Sequence, residues 1–116
     1  MQRRHRLSRS RDFDAVYRQG RAVSTRYLTL HWFPRDDDPD GEARLGLAVP
    51  RTVGNAVARN RLKRQLRATW LELGERVRPG RDYVLAARPG IAEPAETRGH
   101  AWLVDQVREV LGKASA

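Results

Sequence analysis

Residues 51–67 leave this chain few ways to fold. The segment holds six positive side chains and no negative one, yet its apolar residues recur at a helical period that continues to residue 73. At about 100° per residue, Leu62, Leu66, Thr69, Trp70 and Leu73 share one face. Asn60, Lys63, Arg64 and Arg67 gather opposite, with Arg59 and Arg61 on either side of the seam. Such a helix packs one face on a core and holds the other toward a polyanion. A merely solvated helix mixes signs, because opposite charges four residues apart help and like charges hurt. Here Arg59 and Lys63, then Lys63 and Arg67, are like pairs, and no carboxylate appears before Glu72.

The chain of 116 residues fits a single domain, residues 1–116. Its formal charge of +9 is concentrated: residues 1–26 carry +6, residues 51–67 carry +6, and the rest sums to −3. Two basic blocks of this kind suit nucleic acid or an anionic membrane. The membrane version needs an exposed apolar face or a lipid anchor, and nucleic acid is favoured. With no cysteine there are no disulfides, thiolate zinc sites or cysteine nucleophiles, and a cytoplasmic location is expected. The basic N-terminus is followed by polar residues, not an apolar signal segment.

Along the chain, residues 1–9 read as a flexible basic arm. Ser10 is placed to cap a helix in which Phe13, Val16 and Tyr17 share a face, ended by Gly20. Tyr27 to Phe33 alternates as a strand, with both faces semi-apolar, and stops at Pro34. Residues 35–42, rich in Asp, Pro and Gly, form a loop expected to point away from RNA. Arg44 to Val49 is a strand whose Gly46 and Ala48 permit close approach from one side. The basic helix follows, capped by Gly74, then a strand over Tyr83 to Ala87. A last helix from about Thr97 to Leu111 buries Leu103, Val107 and Val110, with Trp102 at its edge. The pattern predicts a two-layer α/β (α+β) domain.

No catalytic constellation is visible. The acidic residues Asp36, Asp37, Asp38, Asp40 and Glu42 do not match a calcium loop, and His5, His31 and His100 have no partners in sequence. A protein-borne nuclease would need clustered carboxylates or paired histidines. We therefore expect no catalytic residue, no metal ligand and no small-molecule ligand on the protein.

The run Val53 to Arg64, with Arg59-Asn60-Arg61 at its centre, resembles the signature of the protein subunit of bacterial ribonuclease P. The resemblance extends over residues 3–111: Leu7 with Phe13, Val16, Tyr17 and Gly20, then Leu45 to Val49, then Asp82 to Leu85 before Arg88. It implies a four-stranded sheet in the order α-β-β-β-α-β-α, like domain 2 of ribosomal protein S5. A left-handed β-α-β crossover would carry the basic helix, and a short first strand would span Ala22 to Thr25. It further implies a subunit that assists a catalytic RNA in removing the 5′ leader of precursor tRNA, with Mg²⁺ held through the RNA. The RNA-binding residues would be Arg51, Asn55, Arg59, Asn60, Arg61, Lys63, Arg64 and Arg67. Phe13, Tyr17 and His31 would line a leader-binding cleft, where stacking and positive charge suit a flexible single strand. Two departures stand out. His31 replaces a different aromatic ring, and Pro50-Arg51-Thr52 replaces Ser-Lys-Lys, losing one charge, one hydroxyl and one backbone donor. Rival readings are a general RNA-binding or ribosome-associated protein, and an autonomous metal-dependent nuclease.

Overall fold

The computed structural model describes the backbone of residues 10–35 and 38–115, and the side chains of residues 12–35 and 38–114. The basic arm, the cap expected from Ser10, and Asp36 and Asp37 of the acidic loop lie outside the described residues. Helix α1 (Ser10–Gln19) leads into strands β1 (Arg21–Ser24), β2 (Leu28–Pro34) and β3 (Arg44–Ala48), then helix α2 (Ala56–Glu72). Strand β4 (Arg81–Ala87) and helices α3 (Ala92–Arg98) and α4 (His100–Ser115) complete the chain. The four strands form one sheet in the order β1-β2-β4-β3, antiparallel except for the β3–β4 pair. Helix α2 is thus the crossover between two parallel neighbours.

The alternation of β2 decides which face each helix covers. Leu28, Leu30 and Trp32 point to one side and are 0 to 7% exposed. There they join Leu62, Leu66 and Trp70 of α2 and Leu103, Val107 and Val110 of α4 in the main core. Trp70 meets Tyr83 of β4 edge-on at 5.1 Å. On the other side Val16 of α1 and Val84 of β4 are buried together, with Phe13, Phe33 and Ala48 packed against them. Ala48, where a close approach was expected, packs against the cluster that Val16 of α1 and Val84 of β4 form. Gly20 lets that helix end against the sheet: a Cβ there would lie 2.4 Å from the carbonyl oxygens of both Trp32 and Val16.

Several boundaries differ from expectation: β1 is Arg21–Ser24 where Ala22 to Thr25 was expected, β2 takes in Pro34 but not Tyr27, and β4 starts two residues early at Arg81. The last helix is two helices, because Gly99 adopts φ 83°, in the left-handed region, and separates Arg98 from His100. Leu103, Val107 and Val110 are nonetheless buried on α4. Gly74 is not a left-handed cap; it opens a 3₁₀ turn over Gly74–Arg76, while the Leu73 amide is held by the carbonyls of Thr69 and Trp70. Strand β3 ends at Ala48, one residue early, and Val49 stays in the core.

Candidate nucleic-acid interface

The interface starts from the turn that launches α2. Arg51–Val53 form a 3₁₀ turn in which the Val53 amide donates to the Pro50 carbonyl at 3.0 Å. Asn55 then caps α2, its Oδ1 accepting from the Ala58 amide at 2.9 Å. Asn55 was expected among the RNA-contacting residues; the structure gives its side-chain oxygen a local task, of the kind worth about 1 kcal/mol. Arg51 is exposed on the same turn.

From there the cations divide between crest and flanks, and Lys63 and Arg67, expected on the crest with Asn60 and Arg64, join Arg59 on one flank. Asn60 and Arg64 are exposed, opposite the buried Leu62 and Leu66. Arg59, Lys63 and Arg67 form a half-buried stripe on one flank, whereas Arg61 lies on the other. Arg61 faces α3, where Nη1 is 3.7 Å from Glu96. Both side chains are more than half exposed, so this pair is weak and leaves Arg61 accessible. The Arg59 Nε is buried without a hydrogen-bond partner among the described residues. A polyanion laid along this surface would meet guanidinium groups whose flat forks match phosphate oxygens.

The second surface lies across the sheet. Tyr17, 44% exposed on α1, meets His31 of β2 edge-on, ring centroids 4.7 Å apart. Phe13 is half-buried one helical turn earlier, packed against the small cluster of Val16 and Val84. The three aromatic residues therefore converge, with Phe13 partly committed to packing and Tyr17 largely open. Burial pushes the His31 pKa below its ordinary value of 6.5, so the imidazole is neutral at physiological pH and presents a ring, not a charge. Burial also raises the Tyr17 pKa, so its hydroxyl keeps its proton and can donate.

Residues to which the sequence reading gave no part in the site shape the groove. Ser24 of β1 and Thr29 of β2 share a hydrogen bond of 2.9 Å on the face that carries His31. At the other end Arg44 of β3 grips Asp82 of β4 bidentately, at 2.7 and 2.6 Å. The same guanidinium reaches Asp12 of α1 at 3.8 Å. This chain of charges ties the aromatic helix to the sheet. Because Arg44 and Asp82 are 38 residues apart, spacing alone could not have revealed it.

The acidic loop leaves from the end of β2 and is tied to the start of β4: the Arg35 amide donates to Gly80, and Gly80 to Gly41. The turn carrying Arg51 leaves from the opposite end of β3. Among the described residues no group of three or more His, Asp or Glu could hold a metal ion. Nor is any described helix long and apolar enough to cross a membrane.

The ribonuclease P family model matches residues 1–115. The ribonuclease P protein component of Geobacillus thermodenitrificans is 36% identical over 98% of this chain and 89% of its own length. That of Shouchella clausii is 41% identical over 76% of this chain and 70% of its own. Among solved structures, the RNase P protein of Thermotoga maritima superposes with a TM-score of 0.82 at 25% identity, covering 93% of this chain and 96% of that one. The Staphylococcus aureus protein gives 0.78 at 26%, covering 95% and 94%.

Proposed function

The chain belongs to the ribonuclease P protein family, and on that premise we propose how its two surfaces divide the labour of an RNA-binding subunit of that endoribonuclease. The basic turn and α2, from Arg51 through Arg67, bind the catalytic RNA. The groove between α1 and the sheet receives the single-stranded 5′ leader of precursor tRNA. The observation that carries this reading is the placement of the exposed Tyr17 against a neutral His31 on the face opposite the basic helix. An uncharged imidazole stacks on a base as other rings do, so the histidine retains the sequence-tolerant contact that a flexible leader needs.

Among the described residues no group of three or more His, Asp or Glu could hold a metal ion, and the exposed pair of His100 and Glu72, 2.9 Å apart, belongs to α4 and α2 and not to the groove. Bond cleavage belongs in this reading to the RNA subunit, with Mg²⁺ held by RNA. What the protein supplies is position: a bound leader and a bound ribozyme are held in one frame, which lowers the entropic part of the barrier. Reconstitution tests the division directly. Precursor tRNA cleavage at low Mg²⁺ should require both the protein and the ribonuclease P RNA. Cleavage by the protein alone, or with any large structured RNA, would refute it.

A further inference from the structure

A third concentration of charge lies on neither surface. Arg21 opens β1, Arg81 opens β4, Arg78 precedes it in the connecting turn, and Lys113 stands in the last turn of α4. These four cations, from well-separated parts of the chain, line one concavity of ≈ 570 Å³ floored by Trp32. Two are fixed in place: the Arg81 guanidinium sits 6.0 Å from the centroid of the Trp32 ring, and the Lys113 Nζ donates to the Ser24 carbonyl at 3.1 Å. The bowl opens on the side of the sheet that carries α2 and α4, since Arg21 and Arg81 follow the strand parity of Trp32 and Tyr83. It is therefore across the sheet from Tyr17 and His31. Because Arg81 begins β4, it also lies at the opposite end of the sheet from the turn that starts α2.

Among the described residues none of the four cations forms an ion pair. Asp38 and Asp40 of the neighbouring loop share the Gly80 end of the sheet, and no ion pair joins either of them to these cations among the described residues. Four like charges converging in one concavity repel, and an anion relieves that repulsion. Three forked guanidinium groups suit phosphate oxygens, and the volume falls in the range that accepts a nucleotide-sized group. Trp32 is only 7% exposed, so the floor reads charge and shape rather than base identity.

We propose that the bowl of Arg21, Arg78, Arg81 and Lys113 is a further RNA-binding site, seating backbone phosphates of RNA that continues beyond the α2 surface or the groove. The inference rests on the reading of the chain as an RNA-binding subunit. Its test is the salt dependence of binding to two RNAs, the ribonuclease P RNA and precursor tRNA in the assembled holoenzyme. Arg21→Ser with Arg78→Ser, both at exposed positions, should weaken binding of at least one RNA about tenfold and make its log–log salt slope shallower by roughly one to two. Arg98→Ser with Arg108→Ser removes the same net charge from α3 and the outer face of α4 and serves as the comparison. A loss confined to precursor tRNA assigns the bowl to substrate, and a loss confined to the other RNA assigns it to the ribozyme. If both slopes match those of the comparison variant, the site is overturned while the proposed function stands. If the unaltered protein bound neither RNA, both would fall.

Discussion

His31 shows how much one environment changes what a side chain offers. In water an imidazole would be partly protonated near neutrality; burial against Tyr17 and the sheet lowers its pKa from 6.5, and the ring stays neutral. The unfolded chain therefore binds more protons than the folded one below about pH 6.5, and folded stability declines as pH falls through that window. Above it the contribution is flat. Replacing His31 with Phe removes the titration, so the melting temperature of His31→Phe should rise relative to that of the parent as pH drops below about 6.5 and hold a constant offset above it. A difference independent of pH would mean that His31 titrates alike in both states. The strand parity of His31 was legible in the sequence, because β2 alternates strictly; its protonation was not, since that depends on Tyr17 from another element. Asn55 is a similar case. The capping bond from the Ala58 amide to its side-chain oxygen was not legible, and it leaves the amide NH2 of this exposed residue to face solvent or RNA.

At the scale of elements, α2 was the most readable part of the chain because one period carried both signals. Leu62, Leu66, Thr69 and Trp70, which share the period, are buried, Val57 and Leu71 off that face are exposed, and the cations fall on the crest and the two flanks. This separation makes two substitutions diagnostic. Arg59→Ala with Arg61→Ala should weaken assembly with the catalytic RNA and reduce the salt slope by roughly one to two, with a melting temperature near that of the parent. Leu66→Ala, at a site with 0% exposure, should lower stability by about 2 to 5 kcal/mol through the cavity it leaves. Equilibrium unfolding beside RNA titration distinguishes them, and an unchanged salt slope in the double Arg variant would remove the α2 flanks from the interface. The helix break at Gly99 was less readable, because a glycine inside an apolar period is compatible with a continuous helix until φ is known. The strand order β1-β2-β4-β3 was not in the periodicity at all. Alternation says which residues share a face; it does not say which strands are neighbours, and the resemblance to a known family supplied that expectation.

The whole molecule is a sheet with helices on both sides, and the proposed function gives each side a different partner. Tyr17 and His31 lie with α1 on one face; Arg59, Lys63 and Arg67 lie with α2 on the other, with the packed sheet and main core between them. Groups that share no side-chain partner and are separated by a rigid layer contribute independently, within about 0.3 to 0.5 kcal/mol. Tyr17→Ala should therefore weaken precursor tRNA binding about tenfold through lost stacking on a leader base, and leave mature tRNA binding and ribozyme assembly nearly unchanged. Combining it with Arg59→Ala and Arg61→Ala should give a free-energy loss equal to the separate losses added. The route by which additivity could fail is specific: Arg44 joins Asp12 of α1 to Asp82 of β4, so a disturbed sheet could shift the aromatic helix. Asp82→Ala, which strips two hydrogen bonds from a part-buried guanidinium, serves as the control and should both destabilise the fold and reduce leader discrimination. Affinities for precursor and mature tRNA, measured with thermal melts for every variant, decide the matter. Equal losses for the two tRNAs with a lowered melting temperature in Tyr17→Ala would show a packing residue, and the groove would then lose its claim to the leader.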